Sequence, residues 1–411
     1  MLARRCNARN RATSQTHPTF TTACYDAHMA KIPFLFLRPG LLARDVIVNR
    51  DEPNLDHLAR IEDPERFVWA ILPHAARTFS ACIALLPRRA AKAAAVGYLY
   101  CRMNDTYEDL VVDPDERDVA LRDFAARLSD ASPEAGVPPA PPIHMNNAKD
   151  GRDASHLLLV ERCGQVDEVY LTLEPEVRGL INRLVTDMAE GMRWASATFF
   201  RQGGVLEDEE QLARYCRNVL GHPVLFASRL LHYQQTGEPE VPEKIAQDAM
   251  TVGEMVQLAN ITRDIEKDLL RGVAYHPLLR DDLGRAVDGD PDLAERVRVV
   301  REELMLLALR RAPAYQPLIE FLSPNRISMA RASGVLMMQF TDRYYRSCAR
   351  RAGHEPWGKR YSGARLILSA LPATWSRARA RKVLGGIESD FLSAADVAGG
   401  GSANLPRSAE A

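Results

Sequence analysis

The chain has 411 residues, a formal net charge of −1, 26% charged residues and seven cysteines. That length allows one large domain or two smaller ones, each with a real core, and a balanced charge with no basic half excludes the electrostatic footprint of a nucleic-acid binder. The cysteines form no Cys-x-x-Cys or Cys/His cluster, and their odd number argues against a disulfide scaffold or a structural zinc site, so a reducing, cytoplasmic setting is expected.

Residues 1–45 read as an N-terminal extension. The first 25 carry Arg4, Arg5, Arg9 and Arg11 with Ser and Thr but no acid, the composition of an organelle transit peptide; a disordered extension, or a true start at Met29, is the plainer expectation. No run of about 18 apolar residues exists, and Ile32 to Leu42 is short and interrupted by Arg38 and Pro39, so any membrane contact is expected to be peripheral. From 46 to 393 the pattern is helical, with no sustained alternation for a sheet. The expected fold is all-α, in one domain. Helices are expected over 65–86, 88–110, 115–129, 174–200, 208–235, 243–271, 291–311, 325–350 and 363–383. In 174–200, Val177, Leu180, Ile181, Leu184, Val185 and Met188 repeat at helical spacing; in 208–235, Asp208 caps the start and Pro223 is expected to kink the helix. The Pro-, Ala- and Asn-rich segment 130–153 reads as a surface loop, and 394–411, with its glycine triplet, as a disordered tail.

Two acidic pentapeptides, Asp105-Thr-Tyr-Glu-Asp109 and Asp264-Ile-Glu-Lys-Asp268, each place two aspartates four apart on one helix face. Mg²⁺ prefers oxygen donors and is usually held by one or two carboxylates plus substrate phosphates, so two facing pairs suit a diphosphate. Spacing alone is weak: 54 acidic residues in 411 give about seven such pairs by chance. The neighbours say more. Tyr98, Arg102, Asp105 and Asp109 share a sector of about 60°, and Gln257, Asn260, Asp264 and Asp268 one of about 80°, with Lys267 and Arg271 on its margin. A salt-bridged solvent face would look similar, but Val96-Gly-Tyr-Leu-Tyr-Cys is too apolar for one. Buried carboxylates need partners, and metal ions with a diphosphate would supply them. His222 and His276 have no metal-ligand partner at the usual spacing and read as a packed and a loop histidine. Leu336, Met337 and Met338 fit a core or a hydrocarbon lining equally well.

Arg77-Thr-Phe-Ser80, Leu85-Leu-Pro87 and Tyr100-Cys-Arg-Met-Asn-Asp-Thr-Tyr-Glu-Asp109 together resemble the first conserved block of the squalene and phytoene synthase family. Gln257-Leu-Ala-Asn-Ile-Thr-Arg-Asp-Ile-Glu-Lys-Asp268, Arg271-Gly272 and Tyr275-His-Pro277 resemble its third block, and Glu190-Gly-Met192 with Tyr215-Cys-Arg-Asn-Val-Leu-Gly221 its central helices. The resemblance implies an isoprenoid synthase fold, a helical bundle around a central cavity, that joins two C15 or C20 allylic diphosphates head to head through a cyclopropyl diphosphate. It implies Mg²⁺ or Mn²⁺ on Asp105, Glu108, Asp109, Asp264 and Asp268, and diphosphate contacts from Arg77, Arg102, Arg263, Lys267, Arg271, Asn260 and Gln257. Tyr215 matches the family's catalytic tyrosine. For each the plain structural role stays open: Arg77 and Arg102 as ion-pair residues, Gln257 and Asn260 as a bond across a helix interface.

The Asp-Thr-aromatic-Glu-Asp pattern is closer to squalene synthases, whereas Leu110, Asn218, Pro223 and His276 depart from the family pattern. The expected products are squalene or presqualene diphosphate, with NADPH required for squalene; phytoene from geranylgeranyl diphosphate is the alternative. Rival readings are a non-catalytic assembly relative, and a terpene cyclase or chain-elongating enzyme, which lacks the Arg77 and Tyr215 blocks. The expected partners are prenyl diphosphates, with peripheral membrane contact and a monomeric state.

Overall fold

The structure, a computed structural model, describes residues 34–49, 52–144, 147–351 and 362–398. The chain enters through α1 (Phe34–Ile47), which is tied down: the Arg38 guanidinium donates to the Ala84 and Leu86 carbonyls at 3.0 and 2.9 Å, and Ser80 donates to Asp45 at 2.6 Å. The extension expected over 1–45 therefore loses its last part to the fold; the arginine-rich start and Met29 lie outside the described residues. Next come α2 (Leu55–Ala59), α3 (Pro64–Ala76) and α4 (Thr78–Leu85). The single helix expected over 65–86 is thus two, because Arg77 takes φ 49° and ψ −113° and turns the chain sharply between them.

α5 (Arg88–Leu110) and α6 (Pro114–Ser129) follow. Asp63 and Asp113 cap α3 and α6 by accepting from backbone amides, and a proline fills the first helical position after each, where no donor is needed. The loop expected over 130–153 ends early, at α7 (Gly151–Glu161), which is followed by α8 (Cys163–Leu171). In α7, Ser155 to Val160 are all buried, so no polar face marks the period; α8 sets buried Cys163, Val166, Val169 and Tyr170 against exposed Gly164 and Glu168, but is only nine residues long.

α9 (Pro175–Arg201) precedes α10 (Glu209–Cys216) and α11 (His222–Thr236), joined by a π turn at Arg217–Gly221. The kink expected at Pro223 is replaced by this turn, which leaves Pro223 in the first turn of α11, where its missing N–H costs no bond. The long α12 (Glu243–Leu270) then leads to α13 (Pro291–Arg311), α14 (Tyr315–Leu322) and α15 (Met329–Arg351). α16 (Gly363–Ala370) stops at a 3₁₀ turn, Leu371–Thr374, where the sequence pattern ran on to 383, and α17 (Arg377–Ala398) takes helix into the expected tail. Residues 399–411 lie outside the described residues.

Among the described residues there is no strand, only two isolated bridges, so the chain is the single all-α domain its sequence suggests. Its buried apolar residues form two clusters, one drawn largely from α3, α5, α6, α8 and α9, the other from α10, α12, α13, α15 and α17. The helix bearing the first acidic motif thus belongs to one core and the helix bearing the second to the other. α11 spans them, packing on α9 and α12. Where α12 crosses the π turn, a methyl on Gly253 would lie 2.4 Å from Gly221 Cα and 2.5 Å from the Leu220 oxygen, so the crossing requires glycine. No helix among the described residues is long and apolar enough to cross a membrane.

Candidate active site

Small side chains sink α5 into its core: Ala90, Ala91, Ala93, Ala94 and Ala95 are all buried. Its last turns carry polar groups into that interior. Arg102 is held at three points: Nε donates to the Ala75 carbonyl at 3.0 Å, Nη2 to the Tyr98 hydroxyl at 3.3 Å, and Nη1 lies 2.9 Å from an Asp105 oxygen. Burial pushes Asp105 up to about 6, against the pull of Arg102 and with a further push from Asp109. Glu108 is raised well above the usual carboxylate range by burial, then by Asp109 and Asp105. Asp109, at the open end of the stripe, is exposed.

On α12 the buried Gln257 accepts from Asn260 at 3.1 Å, a bond within the helix rather than across an interface. Arg263 grips Asp264 with two bonds of 2.8 and 2.5 Å, and its guanidinium stacks 4.7 Å above the Tyr344 ring. Burial pushes Asp264 up, but that grip outweighs it and holds the carboxyl below its ordinary value. Asp268 is raised to about 7 by burial and by Asp264, with Arg271 and Lys267 opposing and Asp109 adding to the rise. Lys267 and Arg271 themselves are exposed.

The two motifs feel each other. Asp109 acts on Asp268, and Glu108 and Asp268 both act on the Tyr215 phenol from opposite helices. Tyr215 is buried, its hydroxyl 3.3 Å from that of Tyr275, their rings 5.2 Å apart, with Phe199 edge-on to both at 6.0 and 5.9 Å. Burial, then Tyr275 and Glu108, raise the Tyr215 phenol well above its ordinary value, so it stays a proton donor at neutral pH.

Tyr275, given no role by the sequence, is placed by a backbone clip. Leu206 donates to the Ala274 carbonyl and Ala274 to that of Gly204, at 3.1 and 2.8 Å. Gly204, at φ 91°, approaches so closely that a Cβ there would lie 2.3 Å from the Gly272 oxygen. Tyr344 is a second residue the sequence passed over: its hydroxyl lies 3.3 Å from Thr78 Oγ1, so α15 links Arg263 to the residue beside Arg77. Neither tyrosine had a periodic signal. Arg77 has the one positive φ of a non-glycine among the described residues. His222 and His276 instead face Asp187 and Glu303, at 3.4 and 2.8 Å.

An all-helical chain that aims two acidic helices from separate cores at one buried tyrosine defines a protein of the isoprenoid synthase type. Residues 72–359, more than half of the chain, match the model of the squalene/phytoene synthase family, and the chain belongs to that family. It is 28% identical over 223 residues to the squalene synthase of Schizosaccharomyces pombe, covering 53% of this chain and 45% of that protein. To the bifunctional lycopene cyclase/phytoene synthase of Pyrenophora tritici-repentis it is 26% identical over 255 residues, covering 60% of this chain and 40% of the other. The matched stretch spans less than half the length of either relative. A solved complex of TcSQS with the ligand BPH1237 has the same fold, with a TM-score of 0.60 at 17% identity over 82% of this chain and 98% of that one; a TcSQS complex with E5700 gives 0.56 at 19% over 82% and 99%.

Proposed function

We propose that the chain condenses two farnesyl diphosphates through a cyclopropyl diphosphate to presqualene diphosphate or, with NADPH as hydride donor, squalene. The observation that carries this reading is that carboxylates of both helices, Glu108 on α5 and Asp268 on α12, act on the hydrogen-bonded Tyr215–Tyr275 pair, with Asp109 near enough to Asp268 to add to its rise. Divalent cations fit the donor set. Asp105 and Asp268 stay raised, to about 6 and about 7, although Arg102 and Arg152 act on the one and Arg271 and Lys267 on the other, so added positive charge would favour their ionised form, and hard oxygen donors suit Mg²⁺ or Mn²⁺. Among the described residues no three His, Cys, Asp or Glu side chains form a group that could hold a metal ion. Asp105, Glu108, Asp109, Asp264 and Asp268 would hold the ions, whose contribution when bound is positive charge on the departing diphosphate.

Arg77, Arg102 and Arg263 bind diphosphate oxygens, a task for which the planar guanidinium fork is suited. Arg102 and Arg263 are already oriented by Asp105 and Asp264. The amides of Gln257 and Asn260 offer donors, and Lys267 and Arg271 add charge at the margin. The Tyr215 phenol, protonated at neutral pH, donates toward the leaving oxygen, and the rings of Tyr215, Tyr275 and Phe199 form an aromatic wall that steadies an allylic cation. Peripheral contact with a bilayer belongs to the same reading, because Val112, Phe200 and Leu270 are exposed at or just beyond the ends of α5, α9 and α12, and Leu278 is exposed in the 3₁₀ turn Pro277–Asp282.

Incubation with farnesyl or geranylgeranyl diphosphate and Mg²⁺, with and without NADPH, tests this directly. Presqualene diphosphate without NADPH and squalene with it are expected. A C40 product from geranylgeranyl diphosphate alone would move the chain to the phytoene side, in line with its second relative. Intact substrate that also fails to bind would leave a non-catalytic member of the family.

A further inference from the structure

We infer that Arg152, on α7, is a further diphosphate-binding residue that reaches between the two aspartate motifs; this rests on the condensation proposed above. α7 packs against both α3 and α5. The segment leading into it is pinned to the end of α5, where Asn147 donates to the Leu110 carbonyl at 2.9 Å and Tyr107 to that of Pro141 at 2.6 Å. Asp150 caps the helix by accepting from the Asp153 amide at 2.8 Å, which fixes Arg152 in the first turn.

From there the half-buried Arg152 acts on carboxylates of both motifs, Asp105 and Asp109 on α5 and Asp264 on α12, and lies close enough to Arg102 and Arg77 to be repelled by them. Its guanidinium makes no hydrogen bond or ion pair among the described residues. The most deeply buried arginines here have partners: Arg127 pairs with Asp167, Arg301 with Glu266, and Arg331 with several carbonyls. A guanidinium crowded by other cations, with no anion bound to it, is stabilised when an anion joins them. A diphosphate held between the motifs is such an anion, and its oxygens match the fork. His156, one turn further along and buried, turns toward the same arginines with no partner on Nε2. Burial and those arginines keep it neutral, so Arg152 is the charge that α7 brings to the site.

The test is calorimetric titration of the full chain with Mg²⁺ and inorganic pyrophosphate, alongside kcat and KM for farnesyl diphosphate. Arg152→Ala should weaken pyrophosphate binding by roughly tenfold to a hundredfold, and Arg152→Lys should recover part of the loss. Lys149→Ala, which removes an exposed neighbouring cation, should change binding by less than about twofold. Wild-type binding retained in Arg152→Ala overturns the inference, as does an equal loss in Lys149→Ala, which would reduce the effect to net charge. If Arg152→Ala fails to fold, Arg152→Gln decides by the same criterion. A wild-type chain that does not bind Mg²⁺-pyrophosphate sinks the condensation itself, an outcome distinct from failure of the Arg152 variants alone.

Discussion

Arg77 holds a backbone conformation, φ 49°, that glycine adopts freely and that costs a residue with a side chain about 1–3 kcal/mol. Arg77 is exposed, and under the proposed condensation this conformation would give a diphosphate-binding guanidinium a fixed position at the joint of α3 and α4. Arg77→Gly should therefore be more stable than Arg77→Ala by about 1 kcal/mol in chemical denaturation, while both lose at least about tenfold in product formation. Equal stability of the two variants would show that the joint is unstrained. The aspartates were legible because their spacing is a property of the chain, and Arg77 because it sits in a recognisable block. Tyr275 also sits in such a block but was given no role there, and Tyr344 and Arg152 were not legible, because each reaches the site from an element whose approach is set by packing.

At the level of elements, the π turn between α10 and α11 shows how a local departure serves the site. It keeps Tyr215 at the end of α10 facing the carboxylates, and it packs against α12 through two glycines in contact. Gly253→Ala should cost about 1–3 kcal/mol, read from denaturant midpoints; an unchanged midpoint would mean that the crossing has slack. α7 makes a second prediction. Burial, then Arg102 and Arg152, hold His156 well below the usual imidazole value of 6.5. Below that pH the unfolded chain binds more protons than the folded one, so the stability tied to this neutral histidine is complete above about 6.5 and is lost as pH falls. Asp105 and Asp268, raised to about 6 and about 7, contribute with the opposite sign over much of the same interval. The histidine's part is therefore the difference between wild type and His156→Gln: wild type should lose more melting temperature between about pH 7 and pH 5.5. Parallel melting curves for the two proteins would refute the assignment.

For the whole molecule, the division into two cores gives each acidic helix a core of its own, and Val112, Phe200 and Leu270 are exposed at or just beyond the ends of α5, α9 and α12, with Leu278 exposed in the 3₁₀ turn Pro277–Asp282 that follows. Flotation with vesicles should carry a fraction of the protein upward, and combined Phe200→Ser and Leu270→Ser substitutions should reduce that fraction severalfold. Protein that stays wholly at the bottom of the gradient removes the membrane contact from the proposal. The helical class, the positions of α5, α6, α9, α12 and α13 to within a residue or two, and both acidic motifs could be read from the chain, since periodicity and caps are local. Tertiary structure alone decided the break at Arg77, the helix α7 with its buried run Ser155 to Val160, the π turn in place of a kink, and which arginines look inward. Those depend on neighbours distant in sequence: a helix with no polar face carries no period to detect, and a guanidinium's partners are fixed only when separate cores close around it.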